Sequence, residues 1–158
     1  MLDRWRATGG APRRRRMAVL GYGEGVEVIG LDHVQVAAPV GGESEARRFY
    51  GGLLGLSELE KPEPLRNRGG VWFACGAHQL HVGVTKDFSP ATKAHPALRV
   101  RPTDLDPIAE RLTAAGGTVR WDDAITESRR FYTADPWGNR IELIGASCRW
   151  PARKRARA

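Results

Sequence analysis

Hydrophobic and polar positions along the chain follow the same order of elements twice. Residues 28–38 alternate between apolar and polar side chains, which predicts a strand. Residues 43–54 carry apolar side chains at helical spacing and are followed by Gly55, a residue type common at helix ends. A short strand and then a hairpin around the turn at 76–78 complete a βαβββ order.

The second half of the chain repeats this order, and the two repeats start near residues 29 and 95. Gly138 is predicted to supply the positive φ of its last turn. One such unit buries too little apolar surface to be stable alone, so we expect two units to pack together, within one chain or across a dimer. The predicted elements are a strand at 95–100, a helix at 105–115, a strand at 118–123 and a hairpin formed by 129–134 and 140–145.

Length and composition predict a globular protein with one folded domain. The chain has 158 residues, of which 41% are apolar and 27% are charged. No apolar run approaches the roughly 18 residues that a membrane-spanning helix needs. We assign residues 28–147 to one domain made of modules 28–84 and 95–147. The two cysteines form no disulfide framework and no signal peptide is visible, so a cytoplasmic location is the expectation.

The positive charge is concentrated at the two ends of the chain. Residues 1–16 and 149–158 each carry a net charge of +5, so the total of +7 leaves −3 on the segment between them. We expect residues 1–27 to be a disordered basic segment and 148–158 to be a basic tail. This distribution argues against a nucleic-acid-binding face on the folded domain. Whether translation starts at Met1 or Met17 stays open.

Three histidines and one glutamate share the face of the predicted sheets that is turned away from the helices. Apolar and polar side chains alternate in each strand, and the helices must pack on the apolar rows. Imidazole and carboxylate groups are ligands of Zn²⁺, Fe²⁺, Ni²⁺ and Mn²⁺, so we expect three of the four to bind one divalent ion. Taken singly, each is better explained as an ordinary polar residue of a strand, and their shared face is what favours a metal site. The four residues are His33, His81, His95 and Glu142.

Five segments of the chain resemble the vicinal oxygen chelate superfamily, which includes glyoxalase I, extradiol dioxygenases, fosfomycin-resistance enzymes and bleomycin-resistance proteins. They are LDHVQVAAP, ARRFYGGLLGL, HQLHVGV, HPALRV and RRFYTADPWGNRIELIG, and together they span residues 29–145. The most specific pattern is Phe-Tyr-x-x-Asp-Pro-x-Gly-Asn-x-x-Glu at 131–142. The resemblance implies an α+β fold in which two βαβββ modules have mixed sheets that curl into a cup around the site.

The resemblance also implies roles for the candidate ligands. His33, His95 and Glu142 match the family's metal ligands in the first strand, at the start of the second module and in the last strand. His81 stands where glyoxalase I-like members have a glutamate. Its role therefore stays open between a fourth ligand, a general base and neither.

Four further residues are candidates for substrate binding. Tyr132 matches a substrate-contacting tyrosine of the fosfomycin enzymes. Arg130 shares its face and could hold an anionic group of a substrate by charge-assisted hydrogen bonds, although an ordinary solvated arginine is an equal alternative. Gln35 and Trp72 are candidates for lining the cup. For Trp72, simple core packing is the alternative.

The implied function is that of a metal-dependent lyase, isomerase or oxygenase acting on a small substrate that is chelated through neighbouring oxygens. Glu142 and His81 are the candidate catalytic residues. The alternative is a metal-free protein that binds a small molecule or drug, as bleomycin-resistance members do. A third possibility, binding of nucleic acid through the basic tails, predicts affinity that falls steeply with salt. We further expect a homodimer. Whether the site lies within one chain, or is shared so that His33 and His81 of one chain meet His95 and Glu142 of the other, stays open.

Overall fold

Two modules of the same element order make up the part of the chain that the computed structural model describes, residues 28–145. The predicted basic segments at the two ends, with Met17, lie outside the described residues. No helix within residues 28–145 has the length and apolar character needed to cross a bilayer. The first module contains β1 (His33–Pro39), α1 (Glu43–Ala46), β2 (Glu58–Leu59), β3 (Val71–Cys75) and β4 (His78–Thr85), and the second contains β5 (Ala97–Val100), α2 (Leu105–Ala114), β6 (Arg120–Asp122), β7 (Arg130–Ala134) and β8 (Arg140–Gly145).

Each module forms its own four-stranded mixed sheet, and the two sheets have the same strand order. The orders are β1-β4-β3-β2 and β5-β8-β7-β6. In both sheets the first strand runs parallel to the last, and the other neighbours are antiparallel. A parallel pair requires a long crossover connection, which here includes the helix of the module. The prediction of an α+β fold with two βαβββ modules is confirmed.

The first helix changes its hydrogen-bonding pattern after one turn. α1 continues directly as a π-helical segment, Arg47–Leu53, where the sequence pattern predicts a regular α-helix over 43–54. Phe49 and Tyr50, which are adjacent in sequence, are both buried in this segment. Gly55 follows with a φ of +79°, the left-handed conformation expected after a helix.

The core lies between the apolar faces of the sheets and the helices. In β4 and β8 the apolar residues Leu80, Val82, Ile141 and Leu143 are almost fully buried, as the sequence predicts. His81 and Glu142, which lie between them, are buried as well. The helix α2 contributes residues at the spacing of one helical face. The largest of these buried aliphatic side chains are Leu80, Leu105, Leu112, Ile141 and Leu143.

A buried polar network joins the two modules at the turn between β7 and β8. The hydroxyl of Tyr50 donates to Asp135 Oδ2 at 2.9 Å, which links the first helix to this turn. Asn139 Nδ2 donates both to Asp135 Oδ2 and to the carbonyl oxygen of Ala37, each at 2.7 Å. Asn139 Oδ1 accepts the backbone N–H of Ala91 at 2.9 Å. Asp135 and Asn139 thus shape the β7–β8 turn and also hold the two modules together.

We expect Tyr50→Phe to lower the free energy of unfolding by about 1.5 kcal/mol at pH 7, because a hydrogen bond to a buried carboxylate is lost. Burial, and then the charge of Asp135, raise the pKa of Tyr50 above its usual value of 10.0. The unfolded chain therefore releases this proton first, and wild-type stability should fall as the pH rises above 10. Tyr50→Phe should lose less stability over that range.

Urea unfolding at pH 7 and at alkaline pH measures both effects. Tyr132→Phe is the matched control, because it removes a phenol hydroxyl from a half-buried ring outside the network. Equal losses for the two variants at pH 7 would contradict a special role for the network.

Candidate metal and substrate site

The second module brings His95 and Glu142 together. His95 Nε2 lies 3.1 Å from Glu142 Oε2. The backbone N–H of Glu142 donates to the carbonyl oxygen of Pro96 at 3.0 Å and so holds the segment before β5 against β8. On the other side of the ring, His95 Nδ1 donates to the carbonyl oxygen of Lys93 at 2.8 Å. With Nδ1 as the donor to Lys93, His95 directs its Nε2 toward the carboxylate of Glu142.

This pair fits a divalent cation. Two lone pairs at this distance repel each other unless a proton or a metal ion lies between them. Two ligands that are each about 2.1 Å from one ion, at a right angle, lie about 3.0 Å apart. Glu142 is only 6% exposed, and its Oε1 has no hydrogen-bond partner among residues 28–145. His95 and Glu142 therefore fit as neighbouring ligands of one ion.

Arg130 lies beside Glu142 but is also held by another carboxylate. Its Nη2 donates to Asp122 Oδ2 at 3.1 Å, while its Nε is 3.5 Å from Glu142 Oε1. The backbone N–H of Ala124, and then Arg130, hold the pKa of the Asp122 carboxyl below its usual value. The charge of Arg130 is thus shared between two carboxylates of its own chain, and its contact with a substrate stays a prediction.

The first module presents a stack of three rings on its sheet. Trp72 and His81 are cross-strand partners on β3 and β4. Their ring centroids are 3.9 Å apart, and the planes differ by 2°. His33 stacks on His81 with a centroid distance of 4.1 Å. The Nδ1 atom of His33 contacts Asp32 Oδ1 at 2.7 Å, so its Nε2 is the nitrogen left for a ligand role.

His81 is held on several sides by this stack and by its strand. It is 4% exposed, and its Nε2 lies 2.8 Å from Gln79 Oε1. Burial, and then repulsion by His33, lower the pKa of His81 below its usual 6.5, which keeps the ring neutral near pH 7. These contacts favour a role in orienting neighbouring rings. Its roles as a fourth ligand or as a base stay predictions.

The four candidate ligands form two pairs and not one cluster within a single chain. In the described part of the chain, no group of three or more His, Cys, Asp or Glu side chains could hold a metal ion. His33 lies with His81 in the first module, and His95 lies with Glu142 in the second. The expectation that three of them bind one ion is therefore not met inside one chain. A site shared between two chains, the alternative left open by the sequence, stays a prediction.

Tyr132 lies between His95 and an arginine that the sequence analysis did not single out. Its ring packs edge-on against His95 with a centroid distance of 5.5 Å. The guanidinium carbon of Arg140 lies 3.8 Å from the centroid of the same ring. Arg140 precedes Glu142 by two positions in β8, so strand alternation places it on the face of Glu142. The two-residue spacing from Glu142 is the signal by which the sequence could have identified Arg140.

The two other predicted substrate contacts already have neighbours within the chain. The amide of Gln35 covers Gly83, where a Cβ would come within 2.7 Å of the amide nitrogen. The ring of Trp72 is stacked on His81. Contact of Gln35 or Trp72 with a substrate stays a prediction.

Paired βαβββ modules with a histidine–glutamate pair against the last strand define a glyoxalase-like protein of the vicinal oxygen chelate superfamily. The family model described as a glyoxalase-like domain matches residues 35–144. The chain belongs to this family, and the resemblance seen in the sequence is confirmed. No curated protein matches the chain significantly.

Solved structures with this fold are numerous. A glyoxalase family protein from Bacillus anthracis has 49% sequence identity and a TM-score of 0.70, covering 75% of this chain and 96% of its own. The fosfomycin resistance protein FosX from Listeria monocytogenes, a mutant form complexed with Mn(II) and 1S,2S-dihydroxypropylphosphonic acid, has 15% identity and a TM-score of 0.64, covering 77% and 95%. Lactoylglutathione lyase from Agrobacterium tumefaciens has 19% identity and a TM-score of 0.57, covering 74% and 93%. The last two show likeness of fold alone.

We expect His81→Phe to keep the free energy of unfolding within about 1 kcal/mol of the wild type, because a flat ring of similar size can fill the space between Trp72 and His33. His81→Ala should cost about 2 kcal/mol or more, because it leaves a cavity between the two rings. Urea unfolding of the two variants measures this difference. Equal losses would contradict the stacking role.

Proposed function

We propose that the protein is a divalent-metal-dependent enzyme that acts on a small molecule, with His33, His95 and Glu142 as the metal ligands. The observation that carries this proposal is the contact between His95 and Glu142. His95 Nε2 and Glu142 Oε2 face each other at 3.1 Å, and the second carboxylate oxygen of Glu142 is buried without a hydrogen-bond partner among the described residues. A divalent cation would satisfy all three atoms, and this donor set is typical of Zn²⁺, Fe²⁺, Ni²⁺ and Mn²⁺.

The site would be completed by a second copy of the chain. Within residues 28–145, β1 and β5 are edge strands, each with one strand neighbour. Leu31 and Val40, which flank β1, are 57% and 63% exposed. Pairing of two chains along such edges would bury this apolar surface. It would also bring His33 of one chain to His95 and Glu142 of the other, in the cup that the fold of the family implies.

A divalent ion bound here would supply Lewis acidity toward neighbouring oxygens of a substrate. The residues of the chain would orient and hold the groups around it. Tyr132 packs against His95 and limits the positions that ring can take. Arg130 lies beside Glu142, with its Nε 3.5 Å from Glu142 Oε1. Asp32 fixes the Nδ1 side of His33, which leaves Nε2 to face the ion.

The comparisons support this type of chemistry without identifying the reaction. The FosX structure contains Mn(II) together with a compound that has two neighbouring hydroxyl groups. Other structures of this fold are a lactoylglutathione lyase and a glyoxalase/dioxygenase. A lyase, isomerase or oxygenase that acts on a substrate with neighbouring oxygens is therefore the proposed class.

We expect purified protein to bind one divalent ion per chain, and His95→Ala and Glu142→Gln to lose it, because each removes a donor of the pair. Elemental analysis after incubation with Mn²⁺ or Zn²⁺ and removal of free metal measures the stoichiometry. His78→Ala is the matched control, because His78 is exposed at the start of β4. Absence of bound metal in the folded wild type would contradict the proposal and favour the alternative of a metal-free binding protein.

We expect a mixture of His33→Ala and Glu142→Gln chains to regain metal sites that neither variant has alone. In a mixed dimer with shared sites, one site carries both substitutions and the other carries neither. Random re-pairing of equal amounts should therefore restore about a quarter of all sites. Elemental analysis with light scattering measures the metal content and the dimer. A monomer, or no gain on mixing, would contradict the shared site.

A further inference from the structure

We propose that a cavity beside the metal-binding pair holds an oxyanion group of the substrate, a carboxylate, phosphate or phosphonate, by means of Arg140 and Arg120. The cavity has a volume of about 290 Å³ and lies over β6, β7 and β8. This inference rests on the proposed function, because it treats the cavity as the part of the same site that binds the far end of the substrate. The residues used in the argument are Thr92, Thr118, Arg120, Tyr132 and Arg140, all of which line the cavity.

Two guanidinium groups converge on one tyrosine ring in this cavity. The guanidinium carbons of Arg140 and Arg120 lie 3.8 Å and 5.7 Å from the centroid of Tyr132. The electron-rich face of an aromatic ring attracts each cation, but it does not remove the repulsion between them. Both side chains line the same cavity, so an anion bound there would reduce this repulsion.

Neither arginine has a carboxylate partner in the described part of the chain. Arg140 Nε is moreover buried without a hydrogen-bond acceptor. A guanidinium has five N–H donors, and a buried donor without an acceptor is costly. Nearby arginines differ, since Arg129 is paired with Asp106 and Arg130 with Asp122.

The backbone holds Arg140 and the rim of the cavity in place. The N–H of Arg140 donates to the carbonyl oxygen of Ala91 at 2.9 Å. The N–H of Ala91 in turn donates to Asn139 Oδ1 at 2.9 Å. These two hydrogen bonds fix the linker segment, and Thr92 of this segment lines the cavity, as Thr118 does. Both hydroxyl groups can donate to an oxyanion.

The spacing between Arg140 and Glu142 and the volume of the cavity limit the size of the substrate. Arg140 and Glu142 are two residues apart on one face of β8, so their Cα atoms are about 7 Å apart. A volume near 290 Å³ lies at the lower end of the range for ligand pockets. The substrate class that fits is a small acid, with neighbouring oxygens at one end for the metal and an oxyanion at the other end for Arg140.

The test measures binding of inorganic phosphate, methylphosphonate and acetate to the full-length protein by calorimetry, with metal removed so that no probe can bind to the ion. We expect at least one probe to bind, and Arg140→Gln to weaken it about tenfold or more, because charge-assisted hydrogen bonds are lost. Arg140→Lys should be intermediate, since it keeps the charge and loses the planar fork. Comparison of acetate with phosphate and methylphosphonate shows whether the cavity binds a carboxylate or a phosphorus oxyanion.

Arg111→Gln is the matched control, because it removes one positive charge from an exposed position of α2 and leaves the basic ends of the chain unchanged. We expect it to alter probe binding by less than about twofold. Equal affinities of Arg140→Gln and Arg111→Gln, with both folded by thermal unfolding, would overturn the inference. Absence of binding of all three probes to the wild type would overturn it as well.

Failure of this inference is separable from failure of the proposed function. Glu142→Gln should lose metal and keep the binding of phosphate that depends on Arg140. Binding of phosphate through Arg140 in a protein that takes up no metal would remove the proposed function and leave the oxyanion site. Stoichiometric metal without Arg140-dependent binding of any probe would remove the oxyanion site and leave the proposed function.

Discussion

The buried carboxylate of Asp135 is the constraint on which the arrangement of the two modules depends. It accepts hydrogen bonds from the backbone N–H groups of Trp137 and Asn139 and from the side chains of Asn139 and Tyr50. A buried charge is tolerated only when its oxygens are satisfied in this way. Since these donors come from the first helix and from the β7–β8 turn, satisfying one carboxylate also fixes one module against the other.

This constraint extends to the site because β8 starts immediately after Asn139. Once the turn is fixed, strand alternation places Arg140 and Glu142 on one face and Ile141 in the core. The same asparagine positions the linker through Ala91. One polar network therefore aligns the candidate metal ligand Glu142, Arg140 and a wall of the cavity. The ring stack around His81 lies in the other module.

Local patterns were enough to predict the strands, the modules and the face that each candidate ligand occupies. The apolar rows of β4 and β8 depend only on neighbouring residues, and the structure buries them, together with the intervening His81 and Glu142. Whether His33 meets Glu142 depends on how separate sheets are placed, and no local pattern contains that information. The π-helical segment was missed for a related reason, because the burial of adjacent Phe49 and Tyr50 reflects tertiary packing.

Charged residues on the face of the second module that carries Glu142 and Arg140 connect the proposed metal site with the proposed oxyanion site. Glu142 and Asp122 are balanced in part by Arg130, whereas Arg120 and Arg140 have no carboxylate partner among the described residues. This face is therefore positive before any ion binds, and a divalent cation would make it more so. Such a field weakens metal binding by itself, and a bound anion would offset that effect. A substrate that is both a chelator and an acid would thus stabilise the ion and the arginines together, and a neutral chelator would leave the arginine charges unbalanced.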